Sequence, residues 1–512
     1  MKKTSIIFIF AIYLFAISCK KATLDSIKEI QKRVNISEVI DSTGIDTVET
    51  LTIEIDLSNN DGSRCRRIGE IKKSLHQSFP YSEIKLCNIK VNNGKPQITY
   101  EGELGFSRTG QNGEVMVEIP KLYFLRRIFE SREYISISDK KLKGYQIDPA
   151  FIENGQEINH IYIGAYQGYL SNNKLHSFSN RKPTSHLSIE NYRKAARNNG
   201  DGFGLFDARS LFLIQRLYMI YFADRNSQGT LGMGLTNFFW QTQASTTAIL
   251  SEEQTNKIVV DVSNHNDRYF KINQNIAIAP NGEYSLNQTR TISDIISLGN
   301  GKLEVYFTGE KVNIISERSK IYGQVQKTGL TDVIGSFNGN SAYFGGSSTN
   351  GTESVKFIHI ENLWGNVWTM IDGLFIKNLD PYFGSNMSDY DNPNPESVFL
   401  KLKYKVPLQD QNKQNKAEES YAYVSQLGYD KEFPGLAIPS KIGQTASPIS
   451  GYSDPFYSKN DNNVIYYAAH GGGFDHSIRA GLFTLRIWWE KSQSNSNLHG
   501  ARIQFKYLHN FL

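Results

Sequence analysis

The feature that most constrains this chain is a hydrophobic pattern of period two, broken at short intervals by Asn- and Gly-rich turns. Leu51, Ile53, Ile55 and Leu57 alternate with polar neighbours, which is the period of a strand with one face buried. Asn59-Asn60-Asp61-Gly62 and Asn92-Asn93-Gly94-Lys95 separate further short runs. The residue usage agrees: 28 Tyr, 29 Phe and 41 Gly beside six Met favour short strands, turns and aromatic patches over long helices. A length of 512 residues allows a large core and more than one module.

With 39% hydrophobic and 21% charged residues, the chain is neither a membrane bundle nor a disordered one. The net charge of +5 is small for this length, and no dense Lys/Arg run with interleaved aromatics occurs. No nucleic-acid partner is expected.

The N-terminus carries an export signal. Lys2 and Lys3 precede an apolar run from Ile6 to Ile17, too short to span a bilayer as a helix but suited to a signal peptide. Ala16-Ile17-Ser18-Cys19 resembles a bacterial lipobox, whose cysteine is lipidated; the alternative is an ordinary secretory signal in which Cys19 falls by chance. The expectation is an exported lipoprotein of the outer membrane or cell surface. Residues 1–19 are the signal peptide, 20–46 a tether, and the membrane is held through a lipid anchor. Cys65 and Cys87 remain, either as a disulfide closing a loop of about twenty residues or as two free buried thiols. No Cys-x-x-Cys occurs, which excludes a thiolate zinc site.

Downstream, Val115 to Phe124 is strongly β-prone but contains Pro120, so this strand lies at an edge or bends there. His160 to Tyr166 forms another short strand. Two helices follow. One runs from Ser188 through Arg197 to a stop at Asn198-Asn199-Gly200. The other starts near Asp207, with Leu211, Ile214, Leu217, Tyr218 and Tyr221 on one core-facing side. Between Ile249 and Gly345 the texture changes to Asn/Gly turns and Val/Ile alternation. Ile258–Val262 and Lys302–Phe307 read as strands of a small β insertion. All five tryptophans (240, 364, 368, 488 and 489) lie outside it.

The densest local motif is Glu361-Asn362-Leu363-Trp364-Gly365-Asn366-Val367-Trp368-Thr369-Met370-Ile371-Asp372-Gly373. Trp364 and Trp368 either share a helical face or lie in a compact loop with indole N–H groups bonded. Glu361, Asn362, Asn366 and Asp372 can satisfy backbone donors of a buried irregular loop; the alternative is a catalytic or metal-binding pair of Glu361 and Asp372. The block resembles the Glu-Asn-x-Trp-Gly-Asn-x-Trp-x-x-x-Asp-Gly segment of C-type-lectin-fold proteins. These include the formylglycine-generating-enzyme-like superfamily, phage tail receptor-binding proteins and the variable proteins of diversity-generating retroelements. The order of elements is similar to the phage-tail and variable-protein branch: Val117 to Tyr123, Tyr162 to Tyr166, the helical pair, Thr328 to Asp332, the Trp block, then a Gly-rich terminus.

The resemblance covers roughly residues 115–250 and 328–510. It implies an α+β class: a C-type lectin fold with a β-rich N-terminal portion and a small inserted β module. The expected units are residues 47–114 for the β-rich portion, 115–250 and 346–512 for the two parts of the lectin fold, and 251–345 for the insert. It also implies a structural part for Glu361, Asn362, Trp364, Gly365, Asn366, Trp368, Asp372 and Gly373.

In the variable proteins, the C-terminal segment carries diversified positions that form a binding face. Carried over, the frame is Gly471–Gly473, Ala480–Phe483, Ser492, Ser494, Ser496 and Gly500–Arg502. The candidate ligand-binding positions are Asp475, His476, Ser477, Ile478, Arg479, Thr484, Arg486, Trp488 and Trp489. By strand phase Thr484, Arg486 and Trp488 share one face, opposite Leu485 and Ile487. Trp489 falls in phase with those two and reads equally as core. The expected ligand is a protein or glycan on another cell or phage, bound without catalysis, cofactor or metal.

Other classes are less well served. A phage-derived receptor-binding protein lacks a lipidation signal. A degenerate formylglycine-generating-type enzyme needs a late cysteine pair, and the last cysteine here is Cys87. His470 and His476 match no strong metal-ligand spacing.

Overall fold

The structure, a computed structural model, describes residues 45, 50–58, 65–69, 73–239, 246–265, 269–285, 288–342, 350–409, 423–443, 452–494 and 498–508. Cys19, the signal peptide, Trp240, Ser496 and all of the 20–46 tether except Ile45 lie outside these residues.

Among the described residues, strands hold 41% and helices 11%, with three α-helices. The fold is mostly β, which corrects the α+β class expected from the helical pair and the lectin resemblance. The helices at Ile189–Arg197 and Ala208–Phe222 do form, and only the five-residue Ser227–Leu231 joins them. Elsewhere the runs are short, β-branched or aromatic, and ended by turns, a texture that pairs into sheets.

A five-stranded antiparallel sheet runs Arg66–Ile68, Leu51–Asp56, Arg132–Ser138, Tyr123–Phe129, Gln146–Ile147. A six-stranded antiparallel sheet runs Phe203–Leu205, Ile503–Lys506, His160–Gly164, Glu114–Pro120, Lys85–Asn92, Lys95–Tyr100. Hydrogen bonding therefore crosses residue 114: Lys85–Asn92 pairs with Glu114–Pro120, and Leu51–Asp56 with Arg132–Ser138. Glu114–Pro120 is also an interior strand. Pro120 closes it, at the last pair of the ladder with His160, where a missing N–H costs least.

A third, seven-stranded sheet carries the motifs of interest. Its order is Leu400–Lys401, Asp380–Phe383, Trp368–Lys377, Ile465–Gly471, Gly481–Trp489, Phe456–Ser458, with His499–Gly500 running parallel to the start of Trp368–Lys377. Phe456–Ser458 also pairs in parallel, against Leu485–Ile487. Residues 251–345 hold a separate five-stranded sheet with its own apolar cluster of Ile258, Val260, Ile276, Ile278, Ile292, Val305, Phe307 and Ile321.

The Ala208–Phe222 helix is the hub of the main core. Asp207 caps it by accepting from the Ser210 N–H at 2.9 Å, which satisfies one of the donors a helix start leaves open. Every residue from Ala208 to Ile220 is buried. Leu211, Ile214, Leu217 and Tyr218 share one cluster with Trp364, Phe483, Leu485 and Ile487. A second cluster gathers Cys87, Trp368, Tyr457, Phe474 and Trp489. Cys65 and Cys87 are both free and buried, so the disulfide alternative does not hold; burial pushes the Cys65 thiol up to about 12.

Candidate functional site

The Glu361–Gly373 block is a compact loop leading into a strand, with no helix. Trp364 and Trp368 consequently part company. Trp364 enters the main core and donates its indole N–H to the Gly232 carbonyl (3.1 Å). Trp368 enters the second cluster and donates to His476 Nε2 (3.2 Å). Four-residue spacing brings side chains together only on a helix.

The polar side chains of the block each have local work. Glu361 accepts from the Gly329 N–H, the Thr331 N–H and the Thr331 hydroxyl, all at 2.8 Å. It thereby fastens the Thr328–Asp332 segment to the block, and burial raises its carboxyl to about 7 against those three bonds. Asn362, at φ 50°, accepts from the Ser354 hydroxyl (2.6 Å). Asn366, at φ 65°, accepts from the Gln326 N–H (2.8 Å) and donates to Gln167 Oε1 (2.9 Å) and the Gln326 carbonyl (3.1 Å). Gly365 turns at φ +78° where a Cβ would lie 2.8 Å from the Leu235 nitrogen. Gly373 sits at φ +70° against the Tyr390 ring. Asp372 takes the guanidinium of Arg193. Glu361 and Asp372 thus have separate partners and do not face a shared substrate position.

The terminal segment is tied to this block. Arg502, fully buried, donates to the carbonyls of Gly164 (2.6 Å), Glu361 (2.6 Å) and Asn362 (3.2 Å). Gly471, at φ +93°, lies where a Cβ would meet the Leu363 carbonyl at 2.6 Å, and a Cβ on Gly481 would strike Asp454. The small residues permit close approach of one segment to the next.

On this frame the candidate positions separate. Asp475, His476, Ser477 and Arg479 are half-buried and Ile478 is 54% exposed. The Ser477 N–H donates to the Thr236 carbonyl (2.9 Å). The imidazole of His476 lies between Trp368 Nε1 (3.2 Å, on Nε2) and Asp475 Oδ1 (2.7 Å, on Nδ1). The Gly473 N–H also points at Nδ1 (3.3 Å), so both ring nitrogens are enclosed by polar neighbours. Burial, outweighing Asp475, depresses the protonation of His476.

Thr484 requires correction: it is fully buried, with its hydroxyl donating to the Arg479 carbonyl (3.3 Å). The ladder between Ile465–Gly471 and Gly481–Trp489 slips between the pairs His470–Leu485 and Gly471–Gly481. Residues 482–484 therefore leave the alternation that the strand phase assumed.

A second slip falls at the other end. Tyr467 pairs with Trp489 and Ala468 with Ile487, so Trp488 is the extra residue of a bulge. A bulge resets which way the following side chain points. Trp489 accordingly leaves the phase of Leu485 and Ile487 and joins the second cluster. The outcome is an arginine ringed by aromatics. The Arg486 Cζ lies 4.4 Å from the Trp488 centroid, 5.3 Å from Trp489, 5.7 Å from Tyr457 and 5.9 Å from Trp368. His499 packs on Trp489 at 3.8 Å between centroids. Arg486 and Trp488 are half-exposed, whereas Trp489 is buried.

Tyr457 and His499 were not legible as site residues. Each arrives by parallel pairing with a strand distant in sequence, and no local pattern marks such pairing. Among the described residues His470 and His476 join no cluster of three or more groups that could hold a metal ion. His470 lies against Phe206 at 5.9 Å, and burial, then Arg502, depresses its ring to about 3.

Comparison with known proteins finds no family model that matches the chain, and no curated protein matches it.

Proposed function

We propose that the protein is a ligand-binding lipoprotein of the outer membrane or cell surface, anchored through Cys19, which presents the Asp475–Trp489 segment to a ligand on another cell or phage. In this reading it is related to the variable proteins of diversity-generating retroelements. Binding proceeds without chemistry. Arg486 and Trp488 supply the contact, with Asp475, His476, Ser477, Ile478 and Arg479 along the rim; Thr484 belongs to the interior.

The observation that supports the reading is the aromatic ring around Arg486, assembled by the Trp488 bulge on a buried, glycine-framed strand. Arg, Trp and Tyr are the residue types that most often carry binding energy. A side chain already held by its neighbours loses little freedom on association.

Three measurements test it. Labelling with a palmitate analogue is expected in wild type and lost in Cys19→Ala. Binding to a glycan array or to a panel of phage and cell-surface proteins is expected to vanish in Arg486→Ala with Trp488→Ala. The DNA encoding residues 465–505 is expected to have a near-copy beside a reverse-transcriptase gene, differing at adenines. Ligand capture that survives the double substitution would place binding elsewhere.

A further inference from the structure

We infer that the ligand of the Arg486 cluster is a carboxylate carried by a sugar, a uronic or sialic acid residue of a glycan. This rests on the binding reading above and names its ligand class.

Four buried arginines elsewhere end on carboxylates, Arg126 on Glu133, Arg193 on Asp372, Arg209 on Asp207 and Glu153, and Arg216 on Asp148, while Arg502 ends on backbone carbonyls and Arg225 lies over the single ring of Tyr452. Arg486 is different. Four aromatic rings surround it, and no acceptor among the described residues takes a hydrogen bond from it. Its Nε–H is buried without a partner, and so is the Trp489 indole N–H in the same cluster. Ring faces return part of the cost of removing a guanidinium from water, but they accept no in-plane N–H bonds. A buried donor without an acceptor carries a full desolvation penalty. Unpartnered N–H groups also occur on enclosed arginines such as Arg216 and Arg502, but here the cation is half-exposed within its aromatic ring, where an anionic acceptor can reach it.

Asp475 is near enough to act on the Arg486 charge, but its Oδ1 lies 2.7 Å from His476 Nδ1 and no hydrogen bond joins it to the guanidinium. A planar carboxylate matches the fork of a guanidinium. The half-exposed Trp488 ring, 4.4 Å from the Arg486 Cζ, offers the flat apolar face on which the C–H side of a pyranose packs.

The surroundings favour a sugar over a protein carboxylate. A stable protein interface takes roughly 800 Å² from each partner, with an apolar centre. Among the described residues of 471–491, Ile478 is the one large apolar side chain that is strongly exposed. Apart from Arg486 and Trp488, the other side chains of that stretch that are not buried are Asp475, His476, Ser477, Arg479, Glu490 and Lys491, all polar. So little exposed apolar surface suits one acidic sugar residue better than a protein interface.

The test titrates the full chain with N-acetylneuraminic acid and with glucuronic acid, following intrinsic tryptophan fluorescence, and repeats both titrations with the methyl esters. Saturable binding of at least one acid is expected, with the ester weaker by roughly tenfold or more. The ester comparison uses unaltered protein and so does not depend on a variant folding. Arg486→Met, which keeps the apolar stem, is expected to lose the acid response while retaining wild-type circular dichroism. Equal binding of acid and ester, or binding of acidic peptides but of neither sugar acid, would overturn the assignment. If Arg486→Met binds a neutral glycan as wild type does, the ligand class fails and the binding reading stands. If no glycan and no protein of the panel binds, both fail together.

Discussion

Arg193 and Asp372 are joined by two hydrogen bonds in the interior. Arg193 Nε donates to Oδ2 at 2.9 Å and Nη2 to Oδ1 at 2.8 Å, with each side chain only 2% exposed. The pair fastens the Ile189–Arg197 helix to the strand that leaves the Trp block. Breaking a buried pair strands one charge in a low-dielectric interior, at a cost of about 3–5 kcal/mol. Asp372→Ala is therefore expected to lower the denaturant midpoint sharply. Arg193→Met with Asp372→Leu should recover most of the loss. A single substitution as mild as the double would show that the pair contributes little.

Acid stability should be governed by buried imidazoles. Burial holds His470 at about 3 and His359 at about 4, against about 6.5 in an unfolded chain. Between those values the unfolded state binds the proton and the native state does not. The stabilisation is complete above about pH 6.5 and is lost as pH falls toward the folded values. Glu361 opposes this: raised to about 7 by burial, it favours the folded state most at low pH and loses that contribution between about 4.5 and 7. Thermal melts from pH 7 to pH 4 are expected to show a falling midpoint, less steep in His470→Phe. An unchanged slope in that variant would remove His470 from the account.

Gly365→Ala places a Cβ 2.8 Å from the Leu235 nitrogen at a backbone angle of φ +78°. Both the contact and the left-handed conformation disfavour a side chain, together by about 1–3 kcal/mol. Urea titration should find the variant destabilised by that order, whereas Gly94→Ala, also at positive φ but with open space around it, should lose less.

Thr484 separates a structural from a displayed position. Thr484→Val keeps the shape and removes the bond to the Arg479 carbonyl, costing roughly 0.5–1.5 kcal/mol with no change in ligand affinity. Thr484→Trp overfills a fully buried site and is expected to abolish soluble expression. A well-folded Thr484→Trp with altered binding would return this residue to the displayed set.

The thiols offer a simple check of burial. Cys65 and Cys87 are free and enclosed, and only an accessible thiolate attacks a disulfide reagent. Native protein is expected to resist Ellman's reagent at pH 8, and both thiols should titrate in guanidinium. Fast native labelling of either would contradict its placement.

Local features were legible from the residues alone. The alternation at Leu51–Leu57, the helix stop after Arg197 and the apolar face through Leu211, Ile214, Leu217 and Tyr218 depend on period and on neighbours a few positions away. So does the need of Glu361, Asn362 and Asn366 to satisfy backbone donors in a buried loop. What the tertiary structure alone decided is where segments meet. Ile503–Lys506 inserts between Phe203–Leu205 and His160–Gly164, Arg193 finds Asp372, and Trp364 and Trp368 enter different cores. The α+β expectation failed for the same reason, because two real helices did not reveal how many short runs would pair across the chain. At the terminal strand, two register slips buried Thr484 and turned Trp489 toward Arg486. Strand period predicts a face only while the ladder keeps its register, and register is set by the partner strand.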